Sequence, residues 1–145
     1  MINLNNRRDE GFSLIELLIV IAIIGIIAAI AVPQLMNAMD RGRQRRSMAD
    51  MRNLATANGT LRVDTGAYSV GTMATLVPNY MQVLPAGDGW GQAWVYASDG
   101  TTYTITSLGS DSAVGPAAPA TWSNEPYEPD LTMIDGQFTQ APTGS

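Results

Sequence analysis

GFSLIELLIVIAIIGIIAAIAVP, residues 11–33, decides how the rest of the chain is read. After Phe12 the stretch is almost wholly apolar, with one acid, Glu16, near its start. About 20 apolar residues in a helix match the hydrocarbon thickness of a bilayer. A carboxylate inside such a segment costs roughly 2.5–3.5 kcal/mol on insertion scales, so Glu16 points to function and needs a partner. Gly25 and Pro33 are weak points: Pro33 cannot donate to the carbonyl of Ala29, and glycine costs about 1 kcal/mol relative to alanine inside a helix.

Composition narrows the chemistry. The chain has 145 residues, enough for one small domain behind a membrane segment. It has no Cys and no His, which excludes disulfides, thiolate or imidazole metal sites and His-based triads. All eight basic residues are Arg, so Schiff-base and Lys-linked chemistry is excluded too. A net charge of −5 argues against nucleic acid as a partner. The acids show no fixed pairing and no groove is legible, so no enzyme is expected.

Gly11-Phe12 followed by Ser13-Leu14-Ile15-Glu16 and the apolar run resembles the prepilin signature of the type IV pilin-like superfamily. The resemblance implies cleavage after Gly11, N-methylation of Phe12, and assembly roles for Phe12, Glu16, Gly25 and Pro33. It also implies helix unwinding between Gly25 and Pro33 in filaments. Residues 1–11 then form a processed leader, 12–33 a transmembrane and assembly helix, 34–64 an amphipathic helix, and 65–145 a small β domain. The leader departs from the commonest pattern in placing Asp9 and Glu10 before the glycine. A competing cut exists at Ala29-Ile30-Ala31, an A-x-A site whose use would release a chain starting at Val32.

Leu35, Met36 and Met39, then Met48, Met51, Leu54, Ala55 and Leu61, recur at helical spacings and predict an amphipathic stripe. Between them lies RGRQRR, carrying Arg41, Arg43, Arg45 and Arg46. Positive-inside counting would weakly favour this side as cytoplasmic, whereas the resemblance places the C-terminal domain outside. Three readings of the run stand: a solvated face, contact with anionic headgroups, or contact between subunits. From Ser47 onward nine acids face two arginines, so the outer domain is acidic and the preceding stretch basic.

Asp64-Thr65-Gly66 ends the helix. Two β-rich runs, 92–98 and 102–108, flank Asp99-Gly100, which reads as a two-residue hairpin turn. Trp94 and Tyr96 fall on one face and Val95 on the other, and with Trp90 they read as core aromatics. A third strand is expected at 131–134 or 137–139. The predicted fold class is α+β: a long N-terminal helix on a small antiparallel sheet.

Asp64, Gly66 and Tyr68, then Leu84-Pro85, then Asp88, Trp90 and Gly91, then Ser107 to Asp111 resemble the major pseudopilin of type II secretion. The implied function is a structural subunit of a helical filament, most like that pseudopilin. A type IV major pilin for adhesion, motility or DNA uptake is the alternative, and a membrane-anchored monomeric binding domain the second. Implied partners are further copies of the chain, a prepilin peptidase/N-methyltransferase, an inner-membrane platform with its ATPase, minor pilins or pseudopilins, and membrane lipid. The implied location is the bacterial inner membrane as precursor, then a periplasmic or extracellular filament. The resemblance further implies calcium, with Asp111 and the Leu108 carbonyl as ligands and Asp130 or Glu128 closing the site; Ca²⁺ takes about six to eight oxygens.

Overall fold

The computed structural model describes residues 12–113 and 130–140. The expected leader, Glu128, the Pro-rich stretch 114–129 and the last five residues lie outside these. Helix α1 runs unbroken over Leu14–Thr65 and is followed by a 3₁₀ turn, Met73–Leu76. The strands are β1 (Val95–Ser98), β2 (Tyr103–Ser107), β3 (Leu131–Ile134) and β4 (Gln137–Gln140). The chain divides into two compact units, Met1–Ala38 and Met39–Ser145.

From Leu14 on, the described residues of the N-terminal unit are all helix. Among its described residues no apolar side chain is buried; Ile24 is 58% exposed and Leu35 61%. Gly25 and Pro33 lie within continuous helix. Pro33 removes a single backbone hydrogen bond, and the bonds of the flanking turns hold the helix through it. The helix, in which Leu14–Thr65 is counted as one element, is the only one among the described residues long and apolar enough to cross a membrane.

In the C-terminal unit the same helix changes role. Gln44, Ser47, Met51, Leu54 and Asn58 are buried, spaced three and four apart along one face. The expected stripe therefore splits: Leu35, Met36 and Met39 are exposed, whereas Met51 and Leu54 are fully buried with Met48, Ala55 and Leu61 packed beside them. The helix stops where Gly66, at φ 86°, donates its N–H to the Arg62 carbonyl at 2.8 Å.

The sheet is an antiparallel meander in the order β1-β2-β3-β4. Tyr103, Ile105 and Ser107 of β2, and Leu131 and Met133 of β3, alternate into the core. There they join Met51, Leu54, Ala57 and Leu76. Burying each such Leu, Ile or Met side chain contributes about 1.5–3 kcal/mol.

Asn58, fully buried, ties helix to sheet. Its Nδ2 donates to the Tyr96 hydroxyl at 3.0 Å, and its Oδ1 accepts the Ser69 N–H at 3.0 Å. The Tyr96 hydroxyl in turn donates to the Ser69 carbonyl at 2.7 Å. Every polar group of this buried amide thus has a partner across the junction, as interior polar groups require.

The turns correct the sequence reading. Ser98 pairs with Tyr103, so the β1–β2 connection has four residues, 99–102, rather than the two expected at Asp99-Gly100. The cause is the Asp99 side chain, which accepts from the backbone N–H groups of Thr102 and Thr101 at 2.7 and 2.8 Å and from both threonine hydroxyls. These donors, the Thr102 amide first, hold its carboxyl at about 2, below the ordinary 3.8. The two-residue turn sits instead between β3 and β4. There Ile134 pairs with Gln137 across Asp135 and Gly136, both at positive φ (49° and 82°). Both segments proposed for the third strand form, so the sheet has four strands. β1 begins at Val95 rather than Gln92, because the Gln92 backbone is already bonded to Asp88.

Candidate functional site

The candidate site is the start of α1. Ser13 precedes the first helical residue, and Glu16 follows three positions later, so S-x-x-E has the spacing of a capping box, of which the glutamate half forms. Glu16 Oε2 accepts the Ser13 N–H at 3.0 Å. The Ser13 carbonyl accepts the N–H groups of Glu16 and Leu17 at 3.0 and 3.3 Å. The sequence analysis gives Glu16 a need for a partner but does not single out Ser13. The S-x-x-E spacing before an apolar run was the signal available for it. Phe12 is 75% exposed beside this box. A carboxylate has two oxygens and accepts several donors, so capping leaves room for a second partner. Gly11 lies outside the described residues; Gly25 and Pro33 sit further along α1, in the helix already described.

The basic run follows within the C-terminal unit. Arg41, Arg43, Arg45 and Arg46 are all exposed. Arg43 Nη1 donates to Asp40 Oδ1 at 3.2 Å, and Arg46 Nε lies 3.7 Å from Asp50 Oδ2.

The helix carrying this run is held by the Asp88-Gly89-Trp90-Gly91 loop. Asp88, almost fully buried, accepts the Trp90 and Gln92 N–H groups at 2.9 Å each and the Ser107 hydroxyl at 2.6 Å. Gly89 donates its N–H to Ser47 Oγ at 2.8 Å, and Ser47 Oγ donates to the Arg43 carbonyl at 3.1 Å. A Cβ on Gly89 would collide with the Arg43 backbone, so this close approach requires glycine. Trp94 donates its indole N–H to the Pro85 carbonyl at 3.2 Å, and Trp94 and Tyr96 pack against the core as expected of core aromatics.

The residues proposed for calcium gather at one end of the sheet in part. Ser107 pairs with Leu131, so Leu108 and Asp130 leave the β2–β3 ladder at the same end. Asp130 is 8% exposed. Asp111 is exposed and accepts the Ala113 N–H at 3.1 Å. Among the described residues no three acidic side chains converge on one point.

Known proteins resemble the chain both at its N-terminal motif and over most of its length. Residues 6–32 match the family model for the prokaryotic N-terminal methylation motif. The chain is 30% identical over 130 residues to type II secretion system core protein G of Pseudomonas aeruginosa, covering 77% of this chain and 91% of that protein. It is 29% identical over 126 residues to core protein G of Escherichia coli K12, covering 74% and 86%. With type IV major pilin protein PilA of Myxococcus xanthus it shares 42% identity over 64 residues, 44% of this chain and 29% of that protein. No solved structure matches the chain significantly.

Proposed function

The chain belongs to the family of type II secretion system core protein G, and on that footing we propose that it polymerises as the major pseudopilin of such a system. The long match to core protein G carries this reading: it covers 77% of the chain, against 44% for the match to the pilin PilA. A surface pilus built from a type IV major pilin is the second reading, favoured by the higher identity within that shorter match.

The precursor sits in the inner membrane by its apolar helix. A prepilin peptidase/N-methyltransferase cuts after Gly11 and methylates the new amine of Phe12. An inner-membrane platform and its ATPase then add the subunit to a filament, with minor pseudopilins among its neighbours. Bundling the exposed apolar helices removes their surface from water or lipid and packs it against copies of itself, and this drives growth. Glu16 selects the register. In the lone subunit its carboxylate caps its own helix through Ser13. In the filament the remaining acceptor capacity takes the Phe12 amine of an adjacent subunit. An ion left unpaired in such a bundle costs about 3–5 kcal/mol, so only the stagger that joins amine to carboxylate is stable.

The test is Glu16→Ala followed through insertion, cleavage and polymer assembly. The variant is expected to insert and to be cleaved but to stay out of filaments. Normal filaments from it would sink the proposal. Electron microscopy of the wild type separates a periplasmic filament from a surface one.

The family relationship extends the proposal to calcium, held by Asp111 and the Leu108 carbonyl with Asp130 or Glu128. What supports it is the register that brings Leu108 and Asp130 to one end of the sheet. When bound, the ion would tie the β2 exit to the β3 entry. Calcium is expected to raise the Tm of the wild type and not that of Asp111→Ala; an unmoved wild-type Tm refutes it.

A further inference from the structure

Five arginines lie between positions 41 and 52 of α1, and their spacing sorts them onto two faces. Arg43 is tied to Asp40 and Arg46 to Asp50, each within a turn of the same helix. Arg41, Arg45 and Arg52 are spaced four and seven apart, which places them on one line along the helix. At 3.6 residues per turn they fall within an arc of about 40°. All three are exposed. Among the described residues neither Arg45 nor Arg52 has a carboxylate within ion-pair distance. The Arg52 guanidinium lies over the Phe138 ring of β4, 5.3 Å from its centroid. A guanidinium stacked on a ring keeps its N–H edge available for a planar acceptor such as a carboxylate. The buried line of Gln44, Ser47, Met51, Leu54 and Asn58 is a different face, so this stripe is not spent on the packing of its own domain.

We infer that Arg41, Arg45 and Arg52 form a docking stripe for the acidic part of a second copy of this chain. The inference rests on the filament reading above and adds which arginines make the contact. Charge complementarity within the one sequence names the partner. Beyond Ser47 the chain carries nine acids against two arginines, and Asp64, Asp99, Asp111 and Asp135 are exposed. Anionic lipid headgroups fit less well. The stripe spans the twelve residues 41–52 of the helix, about 16 Å of rise. The headgroup layer beside one face of the hydrocarbon core is only about 5–8 Å deep. A helix crossing the bilayer therefore cannot place Arg41 and Arg52 in that layer together.

The experiment compares two charge-matched doubles in the full chain, Arg45→Glu/Arg52→Glu on the stripe and Arg43→Glu/Arg46→Glu off it. Membrane level, cleavage and the Tm of the detergent-solubilised subunit are measured beside filament yield. The stripe double is expected at wild-type levels in membrane level and cleavage, with Tm lowered only by the loss of the exposed Arg52–Phe138 stacking and filament yield lowered about tenfold, as several surface pairs reversed together should give. The off-stripe double is expected within about twofold of wild type, and Arg in place of one exposed acid, such as Asp64→Arg, should restore part of the stripe double's yield. Equal yields from the two doubles, or loss of the stripe double before cleavage, overturn the inference while leaving the filament reading intact. A wild-type chain that forms no filaments, or filaments indifferent to Glu16→Ala, overturns the filament reading and this inference with it.

Discussion

Two stretches of the same helix, built from the same kinds of side chain, meet opposite fates. Residues 14–38 carry Leu, Ile and Val that are about half exposed or more, whereas Met51 and Leu54 a few turns later are fully buried. The later stretch has a sheet and a loop to cover it within its own chain. The earlier stretch has no cover among the described residues, and the proposed function supplies that cover, first as lipid and then as copies of the chain. Helical hydrophobicity therefore reports two different things here: a domain core where it alternates with polar positions, and, where it runs all round, an apolar surface left uncovered by the described residues and assigned to assembly by the proposed function.

The contrast can be broken by exchanging truncations. Leu54→Ala is expected to lower domain stability by about 2–5 kcal/mol, the range for emptying a buried leucine site. Ile24→Ala, at a 58%-exposed position, is expected to leave domain unfolding within about 0.5 kcal/mol and to act on filament yield instead. Denaturant unfolding of both variants decides it; a destabilising Ile24→Ala would erase the distinction. A smaller effect tests how the later stretch is pinned. Asn58→Ala leaves the Ser69 N–H buried without its acceptor and should cost about 1–3 kcal/mol in the same assay. An unchanged midpoint would mean that packing alone joins helix to sheet.

The smallest effect concerns the hairpin tip. The Asp99 carboxyl titrates at about 2 in the folded chain, below its ordinary 3.8. Its charged form is favoured by folding, so its contribution is complete above pH 4 and disappears as pH falls toward 2. Acid unfolding curves of the wild type and Asp99→Ala should therefore converge at low pH and separate above it. Parallel curves across that window would show that the turn does not depend on the charge.

The sequence displayed the membrane-length helix, its acid, the helix stop at Gly66 and the strand segments with little ambiguity, because each rests on local pattern. It was less informative where side chains compete with backbone. Asp99-Gly100 and Asp135-Gly136 are the same dipeptide, yet only the second makes a two-residue turn. The difference lies in the two threonines after Gly100, whose amides and hydroxyls draw Asp99 into a wider loop. The Asp88 loop was legible as a motif and not as a clasp, since its partners Ser47 and Ser107 lie far away in the chain. At the candidate site the acid and its neighbours could be named in advance. The Ser13 amide as its resting partner needed the helix start to be fixed first.

The simple strand order also has a practical consequence. Each strand neighbours the next along the chain, and β2 joins β3 through residues 108–130. Lengthening a connection of this kind is cheap, since each doubling adds only about 0.6 kcal/mol of closure entropy. An epitope or fluorophore-binding tag spliced between Ala113 and Asp130 should therefore ride on every subunit without shifting strand register, marking a growing fibre along its length.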